Sequence, residues 1–185
     1  MNNQKKIIPS EDILTAVNGL GQVITSHCNK HGGGIVFVCI MKGGFMFFSD
    51  LIKKVNYPIE VDFIKCSSYD GQQQKDLAIH YDIEADVKDK TVFLVDDILD
   101  TGNTMKVLVK HFKKLGAKRV ETVSAVYKEN LDFPNHFYIY KQPEGVNPWY
   151  IGYGMDGPKG YSRNLDTIHT LWQKKITKNM NGYEM

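Results

Sequence analysis

Long apolar runs are missing from this 185-residue chain. None approaches the roughly 18 residues that a membrane-crossing helix needs, so no such span is expected. The opening residues, MNNQKKIIPSED, lack the apolar core of a secretory signal. An excess of charge of one sign is missing too. The 23 basic and 21 acidic residues leave a net +2, which provides no argument for a nucleic-acid or membrane-surface partner. Cysteine is scarce. Cys28, Cys39 and Cys66 are odd in number and widely spaced, which favours reduced thiols in a core over a disulfide framework. No C-x-x-C pair occurs, and no ligand spacing points to zinc. Repeats, linkers and low-complexity blocks are also lacking. The expectation is one soluble domain in a reducing, cytoplasmic setting.

What is present centres on Thr91–Thr104, TVFLVDDILDTGNT. Val92-Phe93-Leu94-Val95 is an apolar run that suits a fully buried strand. Asp96 and Asp97 follow, then Asp100 two apolar residues later. Thr101-Gly102-Asn103-Thr104 leads into a helical pattern. A helix N-terminus offers unpaired N–H groups and partial positive charge. A glycine lets backbone wrap a bound group, and threonine hydroxyls add donors, so the turn could cradle a phosphate. The acids would repel a bare phosphate and make sense facing sugar hydroxyls or a metal-bridged group. An ordinary strand-to-helix turn with acidic capping explains the same letters. The stretch is not a Walker A loop, having no Gly-Lys-Ser/Thr, and contains no G-x-G-x-x-G.

Around it the chain alternates strands and helices. Ser10 reads as a helix N-cap with Glu11 and Asp12 behind it. Ile13, Leu14, Val17, Leu20, Val23 and Ile24 then recur at helical spacing to about Lys30. Ile35–Met41 reads as a buried strand, closed by Lys42-Gly43-Gly44. A helix is expected over Phe45–Val55. Ile59–Lys65 and Leu77–Tyr81 read as strands joined by a polar, aperiodic stretch. Met105, Leu108, Val109 and Phe112 mark a helix that Gly116 stops. Val120–Tyr127 is the next strand, with Lys128 at its carboxyl end, where ligands gather in open α/β sheets. Phe137–Tyr140 and Thr167–Trp172 complete the strands, and Trp149 to Asp156 is rich in aromatic residues.

A four- or five-residue apolar run, two acids, two apolar residues and Asp-Thr-Gly-x-Thr resembles the phosphoribosyl diphosphate (PRPP) motif of type I phosphoribosyltransferases. Further segments extend the likeness over about residues 35–172. Met41-Lys42-Gly43-Gly44 resembles a pyrophosphate loop, in which the Lys42–Gly43 peptide can be cis. Ser68-Tyr69 is similar to the pair in a flexible lid over PRPP. Lys128, Trp149–Asp156 and Arg163-Asn164-Leu165 resemble the hood of hypoxanthine-guanine phosphoribosyltransferases.

The resemblance implies an α/β fold: a mostly parallel central sheet flanked by helices, a small hood and a flexible hairpin lid. Residues 1–185 would form one domain, with the hood built from the N-terminal segment and about 129–185, and the lid at about 67–79. It implies Mg²⁺-dependent transfer of 5-phosphoribosyl from PRPP to hypoxanthine or guanine, giving IMP or GMP and pyrophosphate. Asp100 would be the general base. Asp100, Thr101, Gly102, Asn103 and Thr104 would surround the 5-phosphate, and Asp96 and Asp97 would take the ribose hydroxyls. Lys42, Gly43 and Arg163 would hold pyrophosphate. Lys128 would donate to the purine O6, Trp149 would stack on the ring, and the Tyr150 backbone and Asp156 would read the base edge. Asp156, with Asp96 and Asp97, would assist Mg²⁺, itself held mostly by PRPP oxygens and water. A homodimer or homotetramer is implied. Departures from the family pattern fall at Asp96, often glutamate in relatives, at Asn103, at Tyr150 and in the loop before Arg163.

Overall fold

A computed structural model describes residues 4–68, 77–128, 136–143, 145–146, 148–157 and 160–171. Nine strands and three helices are formed in the order β1 (Gln4–Ile8), α1 (Ser10–His31), β2 (Ile35–Met41), α2 (Phe45–Ile52), β3 (Glu60–Ser68), β4 (Leu77–Tyr81), β5 (Thr91–Leu99), α3 (Asn103–Lys114), β6 (Arg119–Tyr127), β7 (His136–Lys141), β8 (Trp149–Ile151) and β9 (Ile168–Leu171) among the described residues. Six strands make one sheet in the order β4-β3-β2-β5-β6-β7. All its pairs are parallel except β3 with β4. The mostly parallel, helix-flanked sheet expected above is therefore the observed architecture.

The central strands read as continuous apolar runs because both sheet faces are covered. In β2, Ile35, Phe37 and Cys39 face a core shared with α1 and α2, while Val36, Val38 and Ile40 face another shared with α3. Phe37 and Phe93 stack in the first core with centroids 4.7 Å apart. Met105, Leu108 and Phe112 of α3 fill the second. Cys28 and Cys39 are buried free thiols, and Cys66 is free and half-buried. Burial pushes Cys28 and Cys66 up to about 11, which keeps both protonated and unreactive near neutrality.

Several boundaries differ from the sequence reading. Ser10 is the first helical residue, and Pro9 holds the N-cap position without a side-chain cap bond. Proline's fixed φ accepts that extended position. Helix α2 ends at Ile52, short of Val55. Strand β5 runs through both acids to Leu99, because parallel pairing with β6 continues from Thr91 to Leu99. Strand β1 has no counterpart in the sequence reading. Its QKKII pattern is too short and mixed to announce a strand, and pairing with β9 creates it.

A smaller antiparallel sheet, β1-β9-β8, joins the beginning of the chain to its later part. Strand β7 lies inside the 129–185 stretch assigned to the hood, yet it pairs with β6 at the edge of the large sheet. None of the described helices is long and apolar enough to cross a membrane.

Candidate active site

The strand order reverses direction between β2 and β5. Chain leaving β2 proceeds to β3 on one side, while chain leaving β5 proceeds to β6 on the other. Such a switch point opens a crevice at the carboxyl ends of the strands. Two loops meet there: Lys42-Gly43-Gly44 after β2, and the segment Asp96 to Thr104 at the end of β5.

The contact between them is backbone-close. A Cβ on Gly43 would run into the Asp97 carboxylate, so no larger residue fits while Asp97 keeps its place. The cis peptide in this loop is Met41–Lys42, one bond before the Lys42–Gly43 bond named above. Lys42 is exposed beside it.

Asp96 and Asp97 are held by local backbone. The Asp97 N–H donates to Asp96 Oδ1 at 2.9 Å, and the Ile98 N–H donates to Asp97 Oδ1 at 2.8 Å. Burial pushes Asp96 well above the usual carboxylate range, and the negative charge of Asp97 adds to it. Burial also raises Asp97, against the opposing pull of its hydrogen bonds and of Arg163. Two adjacent half-buried carboxylates favour company that donates hydrogen bonds or carries positive charge.

Asp100 stands apart from this pair. Its Oδ1 lies 2.8 Å from Lys128 Nζ, while the Lys128 N–H donates to the Leu99 carbonyl at 3.1 Å. Parallel pairing sets Leu99 beside Tyr127, so the residue after each strand lands next to the other. The N-cap of α3 is Gly102, at φ +73° and without a side-chain cap bond. Asp100 is thus not a capping acid. The Asn103 N–H contacts Thr101 Oγ1 at 3.4 Å. With no acid in its first turn, α3 presents its positive end to this loop.

A cavity of about 180 Å³ opens beside the Asp100–Lys128 pair. Asp97 and Ile98 line one side, Pro148, Trp149 and Tyr150 another, and Met155 and Asp156 a third. Trp149 is half exposed, and its indole N–H donates to the Asp156 carbonyl at 2.8 Å. That bond leaves the ring face open to a planar group. Tyr150 is only 5% exposed; its ring meets Tyr140 edge-on. Arg163 forks between the Asp156 carboxylate at 2.8 Å and the Gly154 carbonyl at 2.6 Å.

The structure thus gathers Asp97, Asp100, Lys128, Trp149, Tyr150 and Asp156 around one cavity, with Gly43 against Asp97 and Arg163 against Asp156. Ser68 is the last residue of β3, and Tyr69 lies outside the described residues. Pro148, Ile98 and Met155 line the cavity without having been singled out from the sequence, since apolar residues in strands and loops carry no distinguishing signal. Gly152-Tyr153-Gly154-Met155-Asp156-Gly157 has the letters G-x-G-x-x-G. It follows a three-residue antiparallel strand rather than opening a helix, so it is no dinucleotide loop. His27 and His31 stand one turn apart on α1, with rings 4.5 Å apart. Among the described residues no group of three histidine, cysteine or acidic side chains could hold a metal ion.

Comparison with known proteins agrees with this geometry. The family model described as "Phosphoribosyl transferase domain" matches residues 4–157. A hypoxanthine-guanine phosphoribosyltransferase of Streptococcus thermophilus is 32% identical over 180 residues, covering 94% of this chain and 97% of that protein. A hypoxanthine phosphoribosyltransferase of Salmonella typhimurium is 31% identical over 163 residues, covering 84% of this chain and 88% of that protein. The crystal structure of a hypoxanthine phosphoribosyltransferase from Staphylococcus aureus superposes with a TM-score of 0.81 at 31% identity, over 91% of each chain. With the crevice at the β2–β5 switch point built from the matched residues, this chain belongs to the phosphoribosyl transferase domain family.

Proposed function

We propose that the protein salvages purines, transferring 5-phosphoribosyl from PRPP to hypoxanthine or guanine with release of pyrophosphate. One observation carries this reading: the 2.8 Å pair of Asp100 and Lys128 at the mouth of a cavity walled by Trp149. It joins an acid of the β5 loop to a cation that can read a base. A 6-oxopurine entering the cavity offers a carbonyl to the Lys128 ammonium and a ring nitrogen to Asp100. Adenine offers an amino donor where the lysine also donates, which disfavours it.

The roles divide by position. Trp149 stacks on the base, and the Tyr150 backbone and Asp156 read its edge. Asp96 and Asp97 accept from ribose hydroxyls, an arrangement supported by their raised proton affinity. Thr101, Gly102, Asn103 and Thr104, with Asp100, wrap the 5-phosphate at the positive end of α3. Lys42, Gly43 and Arg163 receive the pyrophosphate, arginine being suited to bidentate contact. Ser68 and Tyr69 belong to the lid. Asp100 takes the proton from the purine as the bond to C1 of the ribose forms and the bond to pyrophosphate breaks.

Asp96, Asp97 and Asp156 do not form one metal-binding cluster, but each offers the carboxylate oxygen that a hard cation such as Mg²⁺ prefers, directly or through water. Most of its ligands would be PRPP oxygens and water. When bound, it offsets charge on the leaving pyrophosphate. A cytoplasmic homodimer or homotetramer completes the proposal.

The test is a panel of four bases (hypoxanthine, guanine, xanthine and adenine) offered with PRPP and Mg²⁺ and read by nucleotide formation. IMP and GMP are the expected products. No nucleotide from any purine would overturn the reading.

A further inference from the structure

The turn between Tyr150-Ile151 and Met155-Asp156 is unusual. Gly152 and Met155 form a bridge in which each N–H donates to the other's carbonyl at 3.0 Å. Two residues close it, Tyr153 at φ +49° and Gly154 at φ +95°. Positive φ at both central positions is the pattern of a type I′ turn, where asparagine, aspartate or glycine is ordinary. A tyrosine there is an outlier, and an outlier that persists needs a compensating interaction.

The compensation is visible. Tyr153 is 2% exposed, and its hydroxyl donates to Asp50 Oδ2 on α2 at 2.9 Å, across 103 residues of chain. The other oxygen of Asp50 pairs with Lys53 at 2.7 Å. Helix α2 begins directly after Lys42-Gly43-Gly44, and the Phe48 N–H donates to the Gly44 carbonyl at 2.8 Å. One rigid element therefore carries both the loop after β2 and the acceptor for Tyr153. The turn is also held by the Tyr153 N–H donating to the Leu165 carbonyl at 2.7 Å and the Gly154 N–H to the Arg163 carbonyl at 3.0 Å. A further contact falls on the loop after β2: a Cβ on Gly154 would run into the Gly43 carbonyl. The residues that follow, Met155 and Asp156, line the base cavity.

We infer that Tyr153 is a positioning residue, whose hydroxyl, through Asp50, holds the Met155–Asp156 wall of the base cavity at a set distance from the Gly43 loop. This rests on the reaction proposed above, in which the cavity takes the base and the loop takes pyrophosphate. Bond exchange at the ribose needs nucleophile and leaving group aligned on opposite sides of one carbon, so a small shift between the two halves slows chemistry. Asp100 and Lys128, the polar pair offered to the base, stand at the ends of β5 and β6 rather than on this turn, so base affinity is expected to depend little on the tether.

The experiment compares Tyr153→Phe, Asp50→Ala, Asp50→Asn and the double variant Tyr153→Phe/Asp50→Ala in the full-length protein. Tyr153→Phe and Asp50→Ala are each expected to lower kcat about tenfold, with KM for hypoxanthine changed less than twofold. The double variant should be no slower than either single variant, as two partners of one bond are not additive. Asp50→Asn keeps an acceptor oxygen and should retain most of kcat. Hydrogen exchange, read without substrate, should quicken at residues 43–48 and 152–156 together in Tyr153→Phe. An unchanged kcat in the folded Tyr153→Phe protein, or multiplicative losses in the double variant, overturns the inference, as does exchange that leaves residues 43–48 untouched. Should Tyr153→Phe fail to fold, Asp50→Ala on the helix carries the same arms. If wild-type protein converts neither base while exchange responds as described, the reaction assignment falls and the tether stands.

Discussion

His136 is expected to make the protein acid-sensitive. It sits on the edge strand β7, between Thr122 Oγ1 at 2.7 Å from Nδ1 and Ser124 Oγ at 2.8 Å from Nε2. Ser124 uses its own proton on the Val126 carbonyl at 2.8 Å. It must therefore accept from an Nε2–H, which leaves Nδ1 to accept from Thr122. This polarity requires a neutral ring. Burial lowers the His136 pKa from 6.5 to about 4. The sign follows from proton counting: between these values the unfolded chain binds a proton that the folded chain refuses. Stability is unaffected above pH 6.5 and lost progressively as pH falls towards 4. The full shift corresponds to a ceiling of about 3 kcal/mol, of which about 2 kcal/mol is gone at pH 5. Asp96 and Asp97 follow the opposite trend, since their raised folded values favour the folded state at low pH. Urea unfolding of wild type and His136→Gln at pH 7.5, 6.5, 5.5 and 5.0 separates the two. At pH 7.5 the variant should be weaker by about 1–2 kcal/mol through imperfect hydrogen bonds. By pH 5 that gap should close or reverse. A gap that stays constant across the series would refute the reasoning.

Three further outcomes are expected. Asp100→Asn should lower kcat by roughly 10²–10⁴-fold, the usual loss for a general base, measured by nucleotide formation at saturating substrates; an unchanged rate removes Asp100 from that role. Gly43→Ala must displace the Asp97 carboxylate, so KM for PRPP should rise while urea unfolding shows a cost of about 1–3 kcal/mol from overpacking. Asp62 is nearly buried and accepts from the Glu84 and Ala85 N–H groups at 2.8 Å each. Asp62→Ala should therefore cost about 3 kcal/mol, because it strips a charged acceptor from these two backbone donors and from the Phe63 N–H, at 2.7 Å; a loss under 1 kcal/mol would show that water replaces it.

The sequence by itself determined the elements whose information is local. Ile35–Met41 and Val92–Val95 are apolar on both faces, which announces buried parallel strands. Met105, Leu108 and Phe112 share one helix face because three and four residues make a turn. The acids, the glycine and the threonines of the β5 loop lie within nine residues, so their likeness to a PRPP motif needed no fold. What depends on distant pairing was settled only in three dimensions. Strand β1 exists because β9 lies beside it, and β7 joins the large sheet although the strands that follow it, β8 and β9, build the small one. The same holds at the site. Asp100 and Lys128 are 28 positions apart in sequence, and strand register brings them to 2.8 Å. Tyr153 read as one aromatic among several; the fold shows it in a left-handed turn, bonded to a helix 103 residues away. Local periodicity records which face of an element is buried, and says nothing of what it is buried against.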